Sequence, residues 1–127
     1  MIRLTPSGIE LEGDGKHVGL LEEEWGMSHC NPVATPYVKP ATTPSRASGP
    51  CGVAEAKAMS PADATLYRRA AARINYVALD RPDLSFASRV ASSSMSNPKE
   101  GDDLLIKRII RYLKGKPRVA IRYKFQE

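Results

Sequence analysis

Hydrophobic residues first recur with a period of two. Ile2 and Leu4 alternate with polar neighbours, Ile9 and Leu11 repeat the pattern, and Pro6-Ser7-Gly8 separates the pairs. This predicts a short hairpin over 2–12. Glu12-Gly13-Asp14-Gly15 breaks the strand, and the period changes. Val18, Leu21 and Trp25, with Leu20 beside them, fall at helical spacing over about 15–26. Asp14 is the expected N-cap and Gly26 the expected terminator. Glu22-Glu23-Glu24 is expected on the solvated face.

Periodicity then lapses. Prolines fall at 32, 36, 40, 44, 50 and 61 among Ala, Ser, Thr and Gly. Proline lacks a backbone donor and restricts the residue before it, so 31–60 reads as an extended linker laid across a surface. A short helical turn over 53–59 is the one element expected inside it.

Three helices follow. Ser60-Pro61 with Asp63 is a start signal for a helix to about Leu79, with Leu66, Ala70, Ile74, Val77 and Ala78 as its buried stripe and Tyr67 and Tyr76 flanking it. Asp80-Arg81-Pro82 stops it. A shorter helix is expected over 82–95, apolar at Leu84, Phe86, Ala87, Val90 and Ala91, and Ser96-Asn97-Pro98 breaks the pattern again. The last helix is expected over 98–114, with a core face of Leu105, Ile106, Ile109, Ile110 and Leu113 and Gly115 as its C-cap. Residues 119–125 alternate as a strand whose Val119, Ile121, Tyr123 and Phe125 share a side. Such a strand needs a neighbour, and the hairpin at 2–12 is the available one. The fold class is therefore mainly α with a small β component.

Charge sharpens this picture. Residues 1–60 hold 5 Lys/Arg and 7 Asp/Glu, residues 61–127 hold 14 and 7, and the halves are therefore −2 and +7. The basic half suggests a polyanionic partner. On the last helix Lys107, Arg111 and Lys114 share a face, bordered by Arg108, and on the first of the three Arg69 and Arg73 are one turn apart, with Arg68 adjacent. If the apolar stripes pack together, these faces flank one groove and neutralise phosphates without reading sequence. No apolar run approaches the roughly 20 residues that span a bilayer. Without a signal peptide at the start, a cytoplasmic or nuclear location is expected.

The motifs then point to a family. Leu79-Asp80-Arg81-Pro82-Asp83-Leu84-Ser85-Phe86-Ala87 resembles the "L-T-R-P-D-I-x-F-A" signature of Ty1/copia-type retrotransposon reverse transcriptases. Met95-Ser96-Asn97-Pro98 is similar to their "M-S-N-P", and residues 105–115 to their "L-K-R-I-L-R-Y-L-K-G". Residues 25–36 resemble "F-x-M-x-D-C-x-P-V-x-T-P", and Tyr67-Arg68 and Tyr76 match positions of "Y-R-S-x-x-G-x-L-x-Y-L". Departures are Arg69 and Arg73 near the family's serines, Ala72 for its glycine, Asp80 for its threonine, and Gly101-Asp102 where it has His-Trp.

The resemblance implies a thumb-and-tether segment between a polymerase palm and ribonuclease H. Residues 1–30 would end a palm-like segment, 31–60 would link, and 61–127 would form a thumb-like three-helix unit with a terminal strand. The implied partners are template–primer nucleic acid and the palm and ribonuclease H segments of a parent polyprotein. The parent polymerase would use Mg²⁺, but no cofactor is expected for this chain.

Gly101-Asp102-Asp103 imitates the paired aspartates of a polymerase palm, but an amphipathic helix follows it where a strand would be needed. The pair reads better as first-turn acids facing a helix dipole, and two-metal chemistry needs a further carboxylate. Cys30 and His29 are adjacent and cannot face each other as a dyad. His17, His29, Cys30 and Cys51 lack zinc-ligand spacing. No catalytic residue is therefore expected. A non-catalytic segment that grips nucleic acid is the leading reading, ahead of a decayed open reading frame and a protein-interaction module.

Overall fold

The computed structural model describes residues 1–39 and 57–126. The described residues form two small layers, an antiparallel sheet and a helical body. β1 (Ile2–Thr5) and β2 (Gly8–Glu12) make the expected hairpin, with Ile2 opposite Leu11 and Leu4 opposite Ile9. β3 (Ala120–Lys124) pairs antiparallel with β2, so the sheet order is β1-β2-β3 and the hairpin does supply the late strand's neighbour.

α1 (Lys16–Glu24) starts two residues after Asp14, with Gly15 at the cap position. The Asp14 side chain still accepts from the Lys16 amide at 3.0 Å, so it serves the helix start from one position further out than expected. Gly26 has φ +61°, the left-handed conformation that a terminating glycine supplies. α2 (Pro61–Ala78) begins as its sequence dictates. Pro61 takes the first turn, Ser60 Oγ accepts from the Asp63 amide at 3.3 Å, and the Ser60 hydroxyl donates to Asp63 Oδ2 at 2.7 Å. The element expected over 82–95 is shorter and divided. A single 3₁₀ turn at Pro82–Leu84 leads into α3 (Ser85–Ser93). α4 (Asp103–Gly115) begins five residues later than expected, because Lys99 pairs in a bridge and 100–102 form a turn first. The helical turn expected over 53–59 falls mostly outside the described residues, and Ala58 pairs as an isolated bridge with Lys99.

One hydrophobic cluster joins all four helices. Val18 and Leu21 of α1, Tyr67, Ala70 and Ile74 of α2, Ala87 and Ala91 of α3, and Ile106, Ile109, Ile110 and Leu113 of α4 belong to it. Each fully buried large side chain contributes roughly 1.5–3 kcal/mol. The stripes differ in detail from their periodic readings. Tyr67 is fully buried with its hydroxyl donating to the Ala91 carbonyl at 2.5 Å, whereas Leu66 is only partly covered. Tyr112 is buried and Leu105 only partly so. Phe86 is 62% exposed and meets the edge of Tyr37. Small residues let α2 and α3 approach, and a polar seam finishes their contact, with Ser88 and Ser92 both donating to Asn75 Oδ1.

Gly115 is the last residue of α4 and not a left-handed cap; Lys116 takes the cap position at φ −135°. Glycine is needed there for space. A Cβ at 115 would sit 2.9 Å from Pro32 Cβ. Residues 31–37 run over α4 as a strap, and the Val33 amide donates to the Arg111 carbonyl at 3.3 Å. No helix among the described residues is long and apolar enough to cross a membrane.

Candidate nucleic-acid interface

The seven candidate cations lie on α2 and α4, as their periodicity dictates, but the groove expected between the two basic faces does not form. α1 fills it. Glu24 sits between Arg69 (3.7 Å) and Arg73 (3.2 Å) of α2, and Glu22 lies 3.6 Å from Lys114 of α4. Glu22 and Glu24, expected to face water, are thus a clasp, while Glu23 between them is exposed as expected. The side chains of Glu22 and Glu24 are only 15% and 24% exposed. A run of three glutamates on a short helix reads as solvated because nothing local reveals which helices border it. The net charge difference between the halves of the chain was the available signal: −2 against +7 invites pairing between them.

Of the other four cations, three hold neighbouring segments in place. Arg68 Nε donates to the Met95 carbonyl at 2.7 Å and Nη2 to the Ser96 carbonyl at 3.4 Å, tying α2 to the turn after α3. Arg111 Nε donates to the Asn31 carbonyl at 2.8 Å and Arg108 Nη2 to Thr35 Oγ1 at 2.9 Å, so both pin the strap. Arg108 Nε is buried without a hydrogen-bond partner. Lys107 forms an i,i+4 pair with Asp103 at 2.8 Å and is 45% exposed. Arg69 and Lys114 are 59% and 36% exposed.

Asp102 and Asp103 occupy the start of α4 and not a strand-turn-strand. Asp102 Oδ2 accepts from the Lys99 amide at 2.9 Å, and Asp103 is paired with Lys107. Among the described residues, no group of three or more His, Cys, Asp or Glu could hold a metal ion.

The Arg-Pro-Asp motif builds the tightest polar arrangement. Arg81 is 4% exposed. Its Nη2 and Nε reach both oxygens of Asp83 at 2.8 and 3.3 Å, and its Nη1 donates to the Lys116 carbonyl at 2.7 Å. The Tyr112 hydroxyl donates to Asp83 Oδ2 at 2.6 Å. Burial raises the Asp83 carboxyl, but hydrogen bonds from Arg81 and Tyr112, with the Arg81 charge, outweigh it and hold the group below the usual carboxylate value. Burial and the same carboxylate push the Tyr112 hydroxyl up. Arg81 and Asp83 thus form a structural turn network between helices, and only the tertiary packing brings Tyr112 and the end of α4 into it.

Relatives of known sequence point to the class of protein this chain comes from. An uncharacterised mitochondrial protein of Arabidopsis thaliana is 32% identical over 114 residues, which cover 90% of this chain and 42% of that protein. The retrovirus-related Pol polyprotein of the Arabidopsis thaliana transposon RE2 is 37% identical over 113 residues, 89% of this chain and 7% of the polyprotein. That of transposon RE1 is 36% identical over 83 residues, 65% of this chain and 6% of the polyprotein. The chain is a relative of copia-type retrotransposon Pol polyproteins and spans a small part of their length. No family model matches the chain, and no solved structure matches it.

Proposed function

We propose that this chain is a non-catalytic segment of a retrotransposon polyprotein that holds template–primer nucleic acid by phosphate contacts, beside palm and ribonuclease H segments. The observation that carries this reading is the state of Arg69, Lys107 and Lys114: each is a third or more exposed and is held, among the described residues, by an ion pair with one carboxylate, Glu24, Asp103 or Glu22. Surface ion pairs contribute about 0–1 kcal/mol. A phosphate, whose binding also releases condensed counterions, can therefore take the place of Glu22, Glu24 or Asp103 at little cost. Arg68, Arg108 and Arg111 act in this reading by shaping the surface, since their guanidinium groups already hold backbone or strap.

Filter binding of an RNA–DNA hybrid across a salt series tests it. Each phosphate contact contributes a log–log slope of about −0.9 on duplex nucleic acid, so roughly three contacts give a slope near −3. Affinity indifferent to ionic strength excludes the phosphate grip. One observation favours a second reading, a folded remnant of a transposon reading frame without activity of its own. All seven candidate cations already have partners within the chain. Cooperative urea unfolding combined with no binding at low salt is the result that selects it.

A further inference from the structure

A cleft of about 320 Å³ opens where the end of α1 meets the starts of α2 and α4. That is far more room than one ordered water occupies, and it reaches the roughly 300–1,000 Å³ of small-molecule sites. Its apolar wall is Trp25, Met59 and Leu66. Trp25 and Met59 pack on the outside of the core cluster and are only partly covered. Leu66, whose periodic position marks it for burial, is partly covered as well, because it lines this cleft. The polar lining is acidic. Asp63 of α2, Glu100 of the turn before α4 and Asp103 of α4 set three carboxylates against one ammonium, Lys107, in a chain whose net charge is +5. Lys107 is already held by Asp103 at 2.8 Å. Asp63 accepts from the Ser60 hydroxyl at 2.7 Å. Among the described residues, neither Asp63 nor Glu100 forms an ion pair.

We propose that this cleft binds a small organic cation, an ammonium or guanidinium carried on an apolar stem. The lining excludes the other occupants one by one. A phosphate is repelled by Asp63 and Glu100. A bare metal ion needs carboxylates that converge, and among the described residues no group of three or more His, Cys, Asp or Glu could hold one. A neutral apolar molecule would strip water from the two carboxylates and leave them without a counter-charge. A cation on a stem answers both parts of the lining. The stem covers Met59 and Leu66, the positive head is drawn to the carboxylates, and tryptophan is the ring that attracts organic cations most strongly. The ligand uses the acids of α2 and α4 and not the basic side chains that a phosphate would use, so the site stands whether or not the chain grips nucleic acid.

Trp25 is the single tryptophan of the 127-residue chain, so its fluorescence reports on the cleft directly. Titration of the whole chain with n-hexylammonium chloride, at constant ionic strength and without nucleic acid, is the test. A saturable change in emission is expected. The neutral counterpart 1-hexanol should bind at least about tenfold more weakly, and ammonium chloride, which lacks the stem, should give no saturable change. Asp63→Asn combined with Glu100→Gln should weaken hexylammonium at least about tenfold, and Arg89→Gln on α3 should leave it unchanged. Circular dichroism of the double variant should keep the helical signal, because an amide at 63 still accepts the Ser60 hydroxyl. Should that signal be lost, Glu100→Gln alone decides, since Glu100 is exposed, and it should weaken hexylammonium at least about threefold. Emission that never saturates overturns the proposal. So does 1-hexanol binding as tightly as hexylammonium, or a folded acid-to-amide variant that binds hexylammonium as the natural chain does.

Discussion

Replacing Arg81 with Met removes the charge and the fork while keeping an unbranched apolar stem in the same space. Three acceptor atoms lose their bond from Arg81: both Asp83 oxygens and the Lys116 carbonyl. Breaking a fully buried pair costs about 3–5 kcal/mol because one charge is left behind. Asp83 is 26% exposed at its side chain and keeps the Tyr112 hydroxyl, which lowers that figure. The Lys116 carbonyl lies at an exposed helix end and can turn to water. The expected loss is therefore about 3 kcal/mol, a large part of the roughly 5–15 kcal/mol that stabilises a domain. For a chain of this size it corresponds to about 10 °C in Tm. Urea unfolding followed through the single tryptophan, Trp25, and through circular dichroism measures it. A double-mutant cycle with Asp83→Asn isolates the pair and should return a coupling of at least about 1 kcal/mol. A loss below about 1 kcal/mol, or additive single variants, would refute the network as a determinant of the fold.

Acid should expose the same carboxylate. Asp83 titrates below 3.8 when folded, so the folded chain binds fewer protons than the unfolded one; the contribution is full above 3.8 and fades as pH falls through the folded value. The stability advantage of the natural chain over Asp83→Asn should shrink over that acid range, as urea midpoints would show. Glu24→Gln should raise hybrid affinity several-fold and steepen its salt dependence, because Arg69 and Arg73 lose their internal competitor; unchanged binding would count against the α2 face as a phosphate contact. Gly115→Val should displace the strap through the contact with Pro32, and hydrogen exchange at the Val33 amide should accelerate while the helices keep their protection. Tyr67→Phe should cost about 1 kcal/mol by removing the buried hydroxyl's bond to the Ala91 carbonyl, which keeps only the longer one from the Ser94 amide, read from the urea midpoint.

Period and punctuation carried the secondary structure far. Alternation at Ile2, Leu4, Ile9 and Leu11 located the hairpin, and Ser60-Pro61-x-Asp63 located the start of α2, because both signals act through a few adjacent residues. The partner of β3 was legible too, since few uncommitted strands were available. The tertiary partners of single side chains were not. Tyr67 and Tyr112 are buried because each hydroxyl meets an acceptor on another element, Ala91 for one and Asp83 for the other. A periodicity argument ranks tyrosine below leucine and misplaces both. Gly115 read as a cap because its position after a helix is the common one, whereas the reason for it lies 83 residues earlier in Pro32. The candidate cations were found by sequence, but their counterparts in Glu22, Glu24, Asn31 and Thr35 were hidden by the same distance along the chain.

That distance also orders the assembly of the molecule. Gly8 of β2 lies opposite Lys124 of β3, nearly the full length of the chain apart, whereas α2 and α3 are neighbours in sequence as well as in space. Closing so long a loop is slow and entropically costly compared with zipping adjacent helices. The helical hairpin should therefore gather first and the sheet should join last, making the strands the earliest part to let go under strain. A chain shortened by a few residues at its beginning would lose the edge strand β1 while keeping the β2–β3 pairing and the helical nucleus.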